Sequence, residues 1–134
     1  MTKKFLCSLL IVIMFMFSAS YGAGMKPDID LTKLSGVMAY SGLFNVMCNP
    51  PEYEGKIIKV QGYCDSVHDD ETGKDYYGVI IMDGSACCSL GVDFILKNGA
   101  KYPEIGSVIT VTGRFEQYKD GEEVFCRLAD AELM

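Results

Sequence analysis

The sequence is short of basic residues and has a single histidine. Its 12 lysines and arginines stand against 18 aspartates and glutamates, which gives a formal net charge of −6. A surface with this balance repels a phosphate backbone, so we do not expect the protein to bind nucleic acid. The histidine, His68, lies in an acidic turn with no residue to orient it. A cysteine nucleophile would therefore lack an oriented base.

The motifs of several enzyme classes are also absent. The chain contains no Cys-x-x-Cys redox pair, no glycine-rich phosphate-binding loop and no serine nucleophile turn. The turn around His68 lacks the regularly spaced oxygen ligands of a calcium loop, so a solvated hairpin tip is the favoured interpretation. We therefore predict that the protein is not an enzyme. A thiol–disulfide enzyme is the least favoured hypothesis, because no redox motif is present.

No apolar run is long enough for a permanent membrane anchor. Residues 5–17 are apolar, follow two lysines and precede a stretch of small residues. A helix of about 13 residues, rising ~1.5 Å per residue, does not cross a bilayer core of about 30 Å. The pattern is typical of a secretory signal peptide. We predict a cleaved signal peptide over residues 1–22, a mature N-terminus between residues 21 and 25, and a secreted or periplasmic protein that is not embedded in a membrane.

The rest of the chain has room for one domain. Cleavage would remove two lysines and leave a net charge of about −8. We predict a short flexible segment over residues 23–29 and a domain over residues 30–134. The domain begins with an amphipathic helix within residues 31–47, capped by Ser35 and ended by the prolines that follow Asn49. The predicted apolar face of this helix contains Leu34, Val37, Met38, Leu43, Phe44 and Met47.

After the helix, the apolar residues alternate with a period of two. A hairpin turn is expected at Asp120-Gly121. On each strand the alternation places one apolar side toward a core, such as the side that carries Ile58, Val60 and Cys64. Five strands are predicted, over residues 56–66, 76–82, 91–96, 108–118 and 124–133.

A weak internal repeat narrows the fold. Residues 55–62 and 106–113 both start with a glycine turn, continue as an alternating strand and end on a glycine inside that strand. Such a glycine suits a strand that bends while a small sheet closes on itself. The sequence therefore predicts a mainly β fold, a small five-stranded barrel of the oligonucleotide/oligosaccharide-binding (OB) type preceded by one α-helix.

Four segments carry a family resemblance. In chain order they are NPPEYEGKIIKVQGYC, YYGVIIMDGSACCSLGVDF, YPEIGSVITVTGRFEQY and VFCRLADAEL. They resemble a group of secreted or lipid-anchored bacterial OB-like proteins that contain an Ala-Cys-Cys motif. More distantly, the region around Cys87 and Cys88 is similar to the extracytoplasmic domain of permease-associated membrane proteins. The nearer resemblance covers residues 30–133 and implies the fold but no activity, and Cys48 and Cys64 depart from its pattern.

Five cysteines follow the predicted signal peptide, and two of them are adjacent. The Cα atoms of Cys87 and Cys88 must lie about 3.8 Å apart, too close for an unstrained disulfide between them. Thiolates select zinc or copper(I), and we predict a metal site formed by Cys87, Cys88 and Cys126. Two alternatives stay open, namely that Cys64 and Cys126 are buried core residues, or that one of the adjacent pair forms a disulfide with Cys126 or Cys64. Cys48 is expected in the core.

The sequence favours two functional hypotheses over the others. The preferred one is a non-catalytic, extracytoplasmic OB-fold binding module for a protein or small ligand, with no certain cofactor. The alternative is a thiolate protein that binds zinc or copper and serves metal handling or a permease. Aromatic residues offer a stacking platform for a ligand, although core and rim packing explains them more simply; they are Tyr53, Tyr63, Tyr76, Tyr77, Phe94, Tyr102, Phe115, Tyr118 and Phe125.

Overall fold

The computed structural model describes residues 24–134, so the signal peptide predicted for residues 1–22 lies outside the described part. The described chain is mainly β, with one main helix, as the alternation predicted. The helices are α1 (Gly36–Cys48) and α2 (Pro50–Tyr53), and two short 3-10 turns cover Leu31–Lys33 and Lys97–Gly99. The strands are β1 (Ile29–Asp30), β2 (Ile57–Asp69), β3 (Lys74–Met82), β4 (Ser89–Leu96), β5 (Val108–Asp120) and β6 (Glu123–Leu133).

The strands form one six-stranded sheet whose last strand pairs back onto an early one. The hydrogen-bonded order is β1-β2-β3-β4-β6-β5, and β2 also pairs with β5. Strands β2 to β6 therefore make a closed ring. The β4–β6 pair is parallel, and the other pairs within the ring are antiparallel. Each of the five predicted strands overlaps one ring strand, whereas the two-residue β1 was not predicted.

The interior of the ring is the hydrophobic core. The alternation predicted this correctly on β2, β4 and β5, and Cys64 is buried among these side chains, with 1% of its surface exposed. The β5–β6 turn also lies where it was expected, with Gly121 at a positive φ of 62°. The buried residues of the ring include Ile58, Val60, Val79, Val92, Phe94, Leu96, Ile109, Val111, Phe115 and Leu128.

Two glycines allow the strands to bend and close the ring. Gly62 lies where β2 changes partner, since Ile57 to Tyr63 pair with β5 and Tyr63 to Asp69 pair with β3. A Cβ atom at Gly62 would overlap the carbonyl oxygen of Ile80 and lie 2.9 Å from its carbonyl carbon. At Gly113, a Cβ atom would lie 2.8 Å from the Cβ atom of Leu128. Only glycine allows these approaches, which agrees with the bend that the repeat predicted.

The helix α1 packs on the ring through a face that coincides only in part with the predicted one, since Leu43 and Met47 contact the core. Its end at Asn49 was predicted correctly, and the following prolines begin α2, where a missing amide proton costs nothing. Leu43 and Val46 are buried. Four residues of the predicted face are 44 to 56% exposed, and one of them precedes α1; they are Leu34, Val37, Met38 and Phe44.

The chain before the helix is hydrogen-bonded to the ring. The amide of Asp28 donates to the carbonyl oxygen of Ile57 at 2.8 Å, and the amide of Ile57 donates to the Asp28 carboxylate at 2.8 Å. Met25 donates to Glu132 at 3.1 Å. These bonds hold residues 25–29, within the segment predicted to be flexible, along β2 and β6. Over residues 24–134, no helix has the length and apolar character needed to cross a membrane.

Candidate functional site

A cleft of about 460 Å³ lies between the two long hairpins of the ring. One wall comes from the β2–β3 hairpin and the other from the β5–β6 hairpin, while β4 contributes to the floor. Its volume falls within the range of small-molecule sites in proteins. Four tyrosines contribute to its lining, namely Tyr76, Tyr77, Tyr102 and Tyr118.

The aromatic residues of the cleft are positioned by one another. The rings of Tyr77 and Tyr102 stack with centroids 3.9 Å apart, and Phe94 packs against Tyr102 at 5.7 Å. Tyr118 stacks against Phe125 at 5.7 Å on the other hairpin. All five were among the aromatic residues considered as a stacking platform from the sequence. The structure thus brings part of that set together, from five separate segments of the chain.

Asp93 on β4 is the central polar residue of the floor. Its side chain is half-buried, and its carboxylate accepts a hydrogen bond from the hydroxyl of Tyr118 at 3.3 Å. Burial raises the pKa of Asp93, and the Tyr118 hydrogen bond offsets this only in part. Over residues 24–134, no basic side chain forms an ion pair with Asp93. A desolvated carboxylate without a counter-charge is costly, and such groups are concentrated at functional sites.

The arginine opposite Asp93 in the sheet forms its ion pair with a different carboxylate. Arg127 lies opposite Asp93 in the parallel β4–β6 register, but its Nε atom donates to Glu116 at 2.7 Å. Arg114 donates to the other Glu116 oxygen at 2.8 Å. Burial alone would raise the pKa of Glu116, but the hydrogen bonds from Arg127 and Arg114 hold it below its usual value. The Arg127 guanidinium lies 4.4 Å above the ring of Tyr118, so it positions that ring.

Two tyrosine hydroxyls point at carboxylates in the cleft. Tyr76 donates to Asp120 at 3.1 Å, and Tyr118 donates to Asp93. Burial, together with the negative charge of Asp93, raises the pKa of Tyr118 to about 12. The pKa of Tyr76 is also raised, by desolvation and then by its hydrogen bond to Asp120. Both hydroxyls therefore stay protonated near neutral pH and act as donors.

Sequence reasoning missed Asp93 as a site residue. The one available signal was a carboxylate inside the otherwise apolar strand Val92-Asp93-Phe94-Ile95-Leu96. An acidic residue on a strand is ordinarily a solvated surface residue, so the signal carries little information alone. Asp93 is unusual because two hairpins that are distant in sequence bury part of its carboxylate.

The burial of Asp93 predicts an unusual stability effect. Because its folded pKa lies above the unfolded value, the protonated form favours folding below about pH 4, and this contribution is lost as the pH rises through the folded pKa. Asp93→Asn should therefore be more stable than the parent at pH 7, and the difference should vanish near pH 3.5. Urea unfolding at both pH values measures this. Equal or lower stability of the variant at pH 7 would contradict it.

The structure does not bring the three predicted metal ligands together. Cys87 and Cys88 are exposed on the loop between β3 and β4, whereas Cys126 is partly buried on β6. In the β4–β6 register, Cys126 lies level with Val92, four residues beyond Cys88, or roughly 13 Å along the strand. Over residues 24–134, no group of three or more cysteine, histidine, aspartate or glutamate side chains is close enough to hold a metal ion. Metal binding by fewer of these residues stays a prediction.

The loop that carries the adjacent cysteines has a defined shape. The Asp83 carboxylate accepts hydrogen bonds from the amides of Ser85 and Cys87, at 3.1 and 3.0 Å. The amide of Asp83 donates to the carbonyl oxygen of Cys88 at 2.9 Å. Ala86 has a positive φ of 55°, so the backbone of this loop is irregular. Both thiols are exposed and free.

The remaining candidate residues fall into two groups. Cys64 belongs to the core, and burial raises its pKa. Cys48 does not, because it is the last residue of α1 and is exposed there, so the prediction of a core residue was wrong. His68 lies at the exposed end of the β2–β3 hairpin, with its Nδ1 atom 2.6 Å from Asp75.

These differences in burial predict how the thiols of the reduced protein react. Cys48, Cys87 and Cys88 should react with a thiol reagent promptly in the folded state. Cys64 and Cys126 should react much more slowly, because burial raises their pKa values and restricts access. Mass spectrometry after timed alkylation, with and without urea, measures the difference. Rapid alkylation of Cys64 in the folded state would contradict the core placement.

Comparison of the chain with protein-family models, with curated proteins and with solved structures yields no match. The resemblance drawn from the four sequence segments therefore stays a prediction.

Proposed function

We propose that the protein is a non-catalytic OB-type binding module that acts outside the cytoplasm and holds a ligand in the cleft between its two hairpins. The strand order of the ring supports the OB assignment, since β2, β3, β4, β6 and β5 follow one another and close on β2. OB barrels bind ligands between the loop that joins their first two strands and the loop that joins their last two. In this chain those loops are the tips of the β2–β3 and β5–β6 hairpins.

The partial burial of Asp93 is the observation that best supports the proposal. Asp93 is a half-buried carboxylate on the floor of an aromatic cleft, and its only hydrogen bond from a side chain of residues 24–134 comes from Tyr118. Folding would be favoured by an uncharged residue there. A ligand that donates to this carboxylate would offset its desolvation, so the position suits binding better than stability.

The composition of the cleft supports binding without catalysis. Its lining contains no serine, cysteine or histidine, so it offers no nucleophile with an adjacent base. The negative net charge of the chain also disfavours a nucleic-acid ligand. Extracytoplasmic location rests on the signal peptide predicted from the sequence.

A titration followed by NMR tests the proposal. The isotope-labelled protein would be titrated with a neutral disaccharide, a dipeptide and an alkylammonium ion, each to concentrations of about 10 mM, which detects weak millimolar binding. We expect at least one of them to shift the amide signals of Asp93, Tyr118 and Asp120. The proposal is overturned if none of them does, or if the shifts map only to residues 83–88.

The thiolate alternative has one observation in its favour. Cys87 and Cys88 present two soft ligands side by side on an exposed loop, and a partner molecule could complete a metal site there. Zinc and copper quantification on the purified protein decides between the hypotheses. One bound equivalent that is lost in Cys87→Ser, with the fold intact, would favour the alternative.

A further inference from the structure

The cleft continues into an outer compartment of about 280 Å³ with a distinct chemistry. The two cavities share the side chains of Tyr76, Asp93, Tyr118 and Asp120. No lysine or arginine lines the outer compartment, although Lys74 and Lys119 line the main cleft. Its walls consist chiefly of three aromatic rings and three carboxylates, which are Tyr76, Tyr118, Phe125, Asp69, Asp93 and Asp120.

The carboxylates of this compartment are held in place by neutral donors. Asp93 and Asp120 accept hydrogen bonds from tyrosine hydroxyls. Asp69 accepts from the Thr72 hydroxyl at 2.6 Å and from the Glu71 amide at 2.9 Å, and these bonds hold its pKa below the usual value. Over residues 24–134, none of the three forms an ion pair. The compartment therefore carries negative charge in a fixed geometry that its own side chains do not neutralise.

The aromatic walls suit a cation as well. The face of an aromatic ring carries negative potential, and rings arranged around a cavity are a known means of binding ammonium groups. Tyr118 already accepts one cation in this way, since the Arg127 guanidinium lies 4.4 Å from its ring centroid. A neutral sugar would donate hydrogen bonds to the carboxylates but would leave their charge uncompensated.

We propose that the outer compartment binds the ammonium group of a small organic cation, with Asp93 and Asp120 as its anionic partners and the rings of Tyr76, Tyr118 and Phe125 as its walls. This inference rests on the proposed binding function and names its ligand class. The cation is either a free alkylammonium compound or the side chain of a lysine in a peptide, because both present the same group.

Calorimetry with two probes of equal shape tests the proposal. Choline carries a quaternary ammonium group, and 3,3-dimethylbutan-1-ol is its neutral counterpart. We expect choline to bind with a Kd of about 1 mM or below and the neutral alcohol to bind at least about tenfold more weakly. Equal affinity of the two probes overturns the proposal. A lysine with acetylated α-amine and amidated carboxyl, run in parallel, distinguishes the peptide source from the free amine.

Matched variants locate the charge that is recognised. Asp93→Asn should weaken choline binding about tenfold or more, because it removes a half-buried charge and keeps the shape. Glu52→Gln, which removes an exposed charge on α2 that lines none of these cavities, should leave the affinity unchanged. Equal losses of choline affinity in both variants would show that choline responds only to the net charge of the protein. That result would contradict the proposal.

The outcomes separate this inference from the proposed function. If a neutral disaccharide shifts the amide signals of Asp93 and Tyr118 while choline does not, the binding function is supported. The specificity for ammonium groups is then contradicted. If none of the probes binds in the cleft, both fall.

Discussion

Replacement of Gly62 by alanine should destabilise the fold by about 3 kcal/mol and lower the melting temperature by more than about 10 °C. The added Cβ atom would overlap the carbonyl oxygen of Ile80, which belongs to the backbone of β3 and cannot move without breaking the β2–β3 pairing. Gly62 lies at the point where β2 leaves β5 for β3. Strain there would disturb the pairing of β2 with both β5 and β3.

Gly36→Ala is the matched control for this substitution. Gly36 is the first residue of α1, and a Cβ atom there would meet nothing within 4 Å. Alanine is a better helix former than glycine, so the control should be neutral or slightly stabilising. Thermal unfolding of both variants measures the contrast. Equal stability of Gly62→Ala and the parent would contradict the account of how the ring closes.

Replacement of Tyr118 by alanine should weaken choline binding about 30-fold and leave the chain folded. Tyr118 supplies a wall of the outer compartment, and its ring lies between Arg127 and Phe125. The expected loss corresponds to roughly 2 kcal/mol of cation–aromatic attraction in a partly desolvated site. The ring is only partly buried, so the core does not depend on it.

Tyr118→Phe separates the ring from its hydroxyl. This variant keeps the aromatic face and removes only the donor to Asp93. We expect its affinity for choline to stay within about threefold of the parent, because phenylalanine rings also attract cations. Circular dichroism would verify that both variants remain folded. If Tyr118→Phe loses as much affinity as Tyr118→Ala, the hydroxyl and not the ring face would be the recognising group.

The strands could be predicted from the sequence because their information is local. Alternation on β2 places Ile58, Val60 and Cys64 on one side, and a side chain on that side must face the only core that a small domain can form. The glycines at 62 and 113 indicated bending for the same reason, since a strand interior has few other uses for glycine. These features needed no knowledge of which strands are neighbours.

The helix face and the site could not be predicted in the same way. Val37, Met38 and Phe44 follow the helical period as well as the buried Leu43 does, and only the position of α1 on the ring decides which of them are covered. The composition of the cleft depends even more on which strands are neighbours in the sheet. Asp93 and Tyr118 come from β4 and β5, which are separated by β6 in the sheet, so only the folded structure reveals their hydrogen bond.

The three cysteines of the predicted metal site lie apart for a related reason. The prediction grouped Cys87, Cys88 and Cys126 by the preference of thiolates for zinc or copper(I). The ring does place β6 beside β4, but the parallel pairing starts at Asp93, well beyond that loop. Register along a strand pair, which composition does not specify, sets the distance between such residues.

A crystal structure of the protein with bound choline is the most direct test of the central claim. The account predicts ligand density in the outer compartment, with the ammonium group among the rings of Tyr76, Tyr118 and Phe125 and within reach of the Asp93 carboxylate. Density on the loop of residues 83–88, or beside Met47 and Cys126 in the neighbouring cavity, would contradict it.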